Sequence, residues 1–263
     1  MLTLQQVKEV LESNKGKWLK GTHQGNDGNQ GNTLEALLGV AENNLQLPDL
    51  GVIELKSQKN ETGSFITLFH KEPLPSASVP KIIKSLGWKH QKAGTKYGYD
   101  EMRFSSTTYG HKYTNRGFRI ELTEDKINFV YNPNFVKRDA KDLSKTYNNL
   151  GEWMDDVNKR TLHYQNVMPT YWIRAEFEKI CIAKLDNTLM CYCDTKQVDG
   201  EHYYKFTDAI IYSKFKSENL EKLFLKGAIV MDFDARTNHN HGVKLRVKKN
   251  NLSDLFEITE KVF

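Results

Sequence analysis

Apolar and polar positions alternate along this chain in short blocks, each of which marks a helix or a strand. Over residues 2–13, Leu4, Val7, Val10 and Leu11 recur at helical spacing, which predicts an amphipathic first helix. A turn at "SNKGKW" leads into "GTHQGNDGNQGN", a loop with Gly21, Gly25, Gly28 and Gly31. Asn32 or Thr33 can cap the next helix, whose Leu34, Leu37, Leu38 and Ala41 form an apolar stripe. "LGVIELKSQ" and "SFITLFHKEP" read as strands around the turn "NETG", most simply paired as a hairpin.

Residues 74–100 are rich in Pro, Lys and Gly, with a helix expected over 79–86. "RGFRIELTED" and "KINFVYNP" predict two strands around a short turn, and "DLSKTYNNLGEWMDDVNKRT" has helical character. The stretch from "TYWIRAEF" to "AIIYS" mixes strands and turns, and "SENLEKLFLKG" reads as a helix. "AIVMDFDART…HGVKLRV" reads as a long hairpin, and "NNLSDLFEI" as a short closing helix. No internal repeat or long linker interrupts the chain, so a single two-lobed domain over 1–263 is expected.

Composition narrows the class. With 263 residues, 38% hydrophobic and 11% aromatic, the chain can bury a full core. Its apolar runs, such as "GAIVM" at 227–231, are too short to cross a bilayer, and residues 1–18 lack signal-peptide features. Three cysteines, Cys181, Cys191 and Cys193, form no disulfide framework. Packed core thiols and a cytoplasmic location are the expectation. The net charge of +5 is compatible with nucleic acid without demonstrating it. Within residues 81–104 and 108–119, Lys, Arg and His interleave with Trp, Tyr and Phe, a mixture that suits phosphate contact and stacking or simply a solvated face. The glycine loop lacks Gly-Lys-Ser/Thr and dinucleotide spacing, so backbone approach to a DNA phosphate fits it better than a nucleotide fold.

The chemistry concentrates in "PDLGVIELKS". Residues two apart on a strand share a face, so Val52, Glu54 and Lys56 point one way while Ile53 and Leu55 enter a core. Asp49, after Pro48, stands where the chain can turn its carboxylate toward Glu54. Two carboxylates beside an ammonium suit a hard divalent cation, most naturally Mg²⁺, and hydrolysis of a phosphodiester. An exposed strand face with alternating charge gives the same letters without function.

Pro48-Asp49 followed by Glu54-x-Lys56 resembles the PD-(D/E)xK nuclease signature. With the flanks "GNDGNQGNTLEALLG" and "SFITLFHKEP", the segment is similar to the catalytic lobe of MutH-like endonucleases, nearest the MvaI/BcnI group of type II restriction enzymes. The resemblance covers residues 16–75 and 227–247. It implies an α/β fold: a mixed-sheet catalytic core centred on about 1–75, with a second, DNA-recognition lobe from the remainder, including 227–247.

In that family Asp49 and Glu54 would hold Mg²⁺, Lys56 would position the attacking water, and Glu35 of "TLEALL" would support the site. "IVMDFDARTNHNHGVKLRV" is similar to the family's base-reading hairpin, which assigns Asp232, His239, His241 and Arg246 to DNA, with His70 in a loop at the DNA. The "HNH" string at 239–241 is contiguous, unlike the dispersed residues of an HNH nuclease, and a surface histidine pair is its bland alternative. The family implies a monomer acting on double-stranded DNA at a CC-N-GG-like site, one strand after the other. A MutH-type mismatch-repair nickase and an inactive DNA-binding relative are the rival readings.

Overall fold

A computed structural model describes residues 2–25, 28–40, 48–161, 169–237 and 239–263, with Thr161 and His241 described as backbone only. The helices are α1 (Leu4–Asn14), α2 (Asn29–Leu37), α3 (Ser78–Leu86), α4 (Leu150–Thr161), α5 (Arg174–Leu185) and α6 (Asn219–Leu225). The strands in the first half are β1 (Leu19–Lys20), β2 (Glu54–Lys59), β3 (Ile66–His70), β4 (Trp88–Lys89), β5 (Met102–Tyr109), β6 (Arg116–Leu122) and β7 (Lys126–Val136). They continue as β8 (Thr170–Ile173), β9 (Asn187–Val198), β10 (Glu201–Phe215), β11 (Ile229–Arg236), β12 (His239–Val247) and β13 (Phe256–Lys261). The chain divides into two compact units: Met1–Ile66 with Glu178–Asn219 and Lys248–Phe263, and Thr67–Phe177 with Leu220–Val247.

The first unit is a mixed sheet in the order β1-β10-β9-β2, with β13 also on β10. β2 runs parallel to β9, pairing Glu54 with Thr188 and Lys56 with Met190, while the other pairs are antiparallel. Residues 188–193 of β9 are buried without alternation, as befits a strand covered on both faces. On one face Leu189, Cys191 and Cys193 meet Val7 and Leu11 of α1, Leu34 and Leu38 from the α2 segment, and Leu55 of β2. Asp199 and Gly200, both at positive φ (51° and 81°), close the β9–β10 hairpin in the two-residue turn that such a dipeptide favours.

All three cysteines are free and buried. Burial pushes each thiol up, Cys193 to about 12, so the thiols stay protonated and act as core residues.

The second unit holds a five-stranded sheet, β3-β12-β11-β5-β4, and a three-stranded sheet, β6-β7-β8. Their core is an aromatic cluster: Phe104 lies 5.1 Å from Phe118 and 5.5 Å from Phe233, and Phe129 lies 4.9 Å from Phe233. Trp153 of α4, fully buried, meets Phe118 edge-on at 5.8 Å. Among the described residues no helix is long and apolar enough to cross a membrane.

Several local expectations change. β2 and β3 do not form a hairpin: β2 pairs with β9, about 130 residues away, and β3 with β12. α2 begins at Asn29 rather than after Asn32; Thr33 sits inside it, its hydroxyl donating back to Asn29 O at 2.7 Å. Ala41, expected on its stripe, lies outside the described residues. α5 occupies a stretch read as strands and turns, because "RAEFEKICIAKL" distributes apolar residues around the helix and leaves Ile182 44% exposed. Helix α4 starts only at Leu150, since residues 142–147 wrap the Asp142 carboxylate instead. At the C-terminus, two single 3₁₀ turns precede β13 in place of the expected short helix.

Candidate active site

The position of Asp49 follows from a tight turn. Gly51 N donates to Pro48 O at 3.2 Å, and Leu50 N donates to Ile53 O at 3.0 Å. Gly51 takes φ +75°, a conformation that favours glycine. This turn folds Asp49 back on the start of β2, where Leu55 N donates to its Oδ2 at 2.8 Å. One carboxylate oxygen is thereby committed to the backbone.

Alternation does the rest. Leu55 enters the core while Glu54 and Lys56 share the other face, and Lys56 Nζ contacts Glu54 Oε1. Glu54 Oε2 lies 3.2 Å from Lys184 Nζ of α5, yet it is buried without a hydrogen bond of acceptable geometry. The Glu54 side chain is only 2% exposed, so this carboxylate is held in low dielectric between two ammonium groups. Burial pushes its pKa above the ordinary carboxylate value; the Asp49 charge adds to that, and Lys56 and Lys184 oppose it.

Glu35 is half-buried on α2. That helix packs on β2, with Gly31 within 3.7 Å of Ser57 Oγ for an added Cβ, and Glu35 stands one turn further along the same helical face. Lys184 has no sequence signal of its own. It lies in a helix whose apolar pattern is weak, and only the tertiary fold brings it to Glu54.

The five-stranded sheet of the second unit carries the other candidates. Asp232 of β11 accepts from Thr107 Oγ1 of β5 and from Arg246 Nη1 of β12, each at 2.8 Å. Two residues along the same face, Asp234 lies 3.6 Å from both Arg103 of β5 and Lys244 of β12. Two rows of donors and acceptors thus cross three strands, and the second row was not anticipated from sequence. His70, exposed at the end of β3, packs beside Gly242, where an added Cβ would come within 3.4 Å of its own. Asn240 Nδ2 reaches Glu72 at 3.1 Å beside it. His239 is exposed on β12, while the His241 side chain lies outside the described residues.

Among the described residues no group of three or more His, Cys, Asp and Glu side chains is arranged to hold a metal. Two carboxylates do suffice for a cation that keeps waters and takes phosphate oxygens as its remaining ligands.

No curated protein matches the chain. Among solved structures, the MvaI restriction endonuclease–cognate DNA substrate complex matches at TM-score 0.74 and 18% identity, covering 100% of both chains. MvaI in the absence of DNA matches at TM-score 0.48 and 18% identity, covering 100% of this chain and 99% of the other. The profile of the MvaI/BcnI restriction endonuclease family spans residues 4–256, and this chain therefore belongs to that family of site-specific deoxyribonucleases.

Proposed function

We propose that this chain is a Mg²⁺-dependent type II endonuclease that cuts both strands of duplex DNA at a short pseudopalindromic site of the CC-N-GG type. It acts as a monomer with one active site and no obligate protein partner, and its three free thiols suit the cytoplasm. The observation that carries this reading is the Glu54 carboxylate: buried, gripped by Lys56, and keeping one oxygen without a hydrogen bond, five residues after an aspartate tied to the next amide.

A buried carboxylate oxygen that accepts no hydrogen bond and faces the Lys184 ammonium, with a second carboxylate nearby, fits a hard divalent cation, so Asp49 and Glu54 would hold it. When bound, Mg²⁺ supplies charge that neutralises the phosphodiester and lowers the pKa of water. Lys56 orients the attacking water and stabilises charge developing on the phosphate. Glu35 supports the site from α2. Water adds to phosphorus in line with the departing O3′, which leaves with a proton, giving a 5′-phosphate and a 3′-hydroxyl. Asp232, His239, His241, Arg246 and His70 meet the bases and their surroundings.

Incubation of the purified protein with mixed DNA in Mg²⁺, with EDTA as control, followed by sequencing of the ends, tests the assignment. Double-strand breaks at one sequence, lost in EDTA, are expected. DNA left intact in Mg²⁺ removes the reading, and nicks alone would move it toward a MutH-type activity.

Two further variants report on the side chains. Lys184→Met withdraws one of the two cations from Glu54, at a cost of about 1–3 kcal/mol for a lost charged contact. Its thermal unfolding should fall in EDTA and recover when a divalent cation is added, because the cation takes over the role of the missing ammonium. A loss that Mg²⁺ does not reverse would show Lys184 to be a packing residue. Arg246→Ala should weaken binding to the cut-site duplex by about 1–3 kcal/mol and to random duplex far less, measured in Ca²⁺. Equal losses on both would mark Arg246 as a phosphate contact.

A further inference from the structure

The two stretches in which basic and aromatic residues interleave, 81–104 and 108–119, lie outside the catalytic motif and the β11–β12 hairpin in the sequence. In the fold they converge with residues 137–150 around a groove of ≈ 540 Å³ within the second unit. Five cationic side chains line it, Arg103, Lys112, Arg116, Lys137 and Lys141, and no carboxylate does. Arg116 is committed to Asp142 at 2.6 Å, and Arg103 approaches Asp234 at 3.6 Å. Lys112, Lys137 and Lys141 are exposed, and among the described residues none of them has a carboxylate within ion-pair distance.

Unneutralised like charges along one concave surface repel one another and focus a positive potential, which a polyanion relieves. The groove also adjoins the polar face of the large sheet. Thr107, which lines it, donates to Asp232, the partner of Arg246. Leu143 also lines the groove and is 83% exposed. Its loop is held in place, because the neighbouring Asp142 carboxylate accepts from the amides of Ser144 (2.9 Å), Thr146 (3.1 Å) and Tyr147 (3.0 Å). An apolar tip beside lysines that make no ion pair suits a surface that is anionic at its phosphates and apolar at its sugars.

We propose that this groove seats the sugar–phosphate backbone of the duplex whose bases meet β11 and β12. Lys112, Lys137 and Lys141 contact phosphates, and Leu143 packs against deoxyribose. The proposal rests on the endonuclease reading and extends it to the strand that the groove holds.

The test is fluorescence anisotropy in Ca²⁺ with a fluorescein-labelled duplex of random sequence, titrated across a salt series. Combined Lys137→Gln and Lys141→Gln should lower the slope of log affinity against log salt by about 1 per lysine, and weaken random and cut-site duplexes by the same factor. Lys137→Arg with Lys141→Arg should restore the slope, which a purely structural role for these exposed side chains would not predict. Leu143→Ala should weaken binding with the slope unchanged. Glutamine variants with the parental slope and affinity overturn the proposal while the endonuclease reading stands. A parent that binds no duplex removes both.

Discussion

Lys56→Ala is expected to lower cleavage by about 10²–10³-fold or more, the effect of removing one charge-stabilising donor from a reacting centre, while duplex binding in Ca²⁺ survives. The geometry explains why the fold should tolerate the change. Glu54 is nearly fully buried, and losing its Lys56 contact would be severe if no cation remained. Lys184, 3.2 Å away on the other carboxylate oxygen, keeps a counter-charge in place. Cleavage and Ca²⁺-supported binding measured on the same preparation, with thermal unfolding as a control, separate the roles. Parallel loss of binding and cleavage would make Lys56 a structural lysine and withdraw its chemical assignment.

The second large effect is on stability. Asp142→Ala should destabilise the protein by about 3–5 kcal/mol, the cost of breaking a buried ion pair by removing one partner. The Asp142 side chain is fully buried and accepts from Arg116 Nη2 (2.6 Å) and Ser144 Oγ (2.6 Å) as well as from three backbone amides. Arg116 lies with its guanidinium 4.1 Å from the Trp88 ring and 4.9 Å from the Trp153 ring, so without Asp142 its charge is left among indoles.

Burial alone would raise the Asp142 pKa. The hydrogen bonds from Ser144 and Tyr147 and the charge of Arg116 outweigh it and hold the carboxyl below its usual 3.8. A depressed folded-state value means that the stabilisation is complete above the unfolded pKa and fades as pH falls through the folded one. The stability gap between the parent and Asp142→Asn should therefore be constant above about pH 5 and narrow on acidification below it. Urea unfolding across that range checks both statements. A gap of less than about 1 kcal/mol at neutral pH would show that the loop does not depend on this carboxylate.

How much was legible in the letters can be judged residue by residue. Alternation through "VIELKS" separates Leu55 in the core from Glu54 and Lys56 on the opposite face, because a strand admits only two directions for its side chains. The β11–β12 hairpin and the β6–β7 pair follow from the same periodicity. The Asp199-Gly200 dipeptide is a local signal for the tight β9–β10 turn. Helix α5 was obscured because its apolar residues do not keep to one face.

The sequence by itself determined the carboxylate–lysine spacing at the start of β2 and the hairpin that carries Asp232 and Arg246. Each depends on neighbours a few residues apart, whose relative direction backbone geometry dictates. Only the tertiary structure decided that β2 lies parallel to β9, that Lys184 closes on Glu54, that His70 rests beside Gly242, and that the basic stretches line one groove. Periodicity reports which face of a segment is buried; it carries no record of which distant segment covers that face.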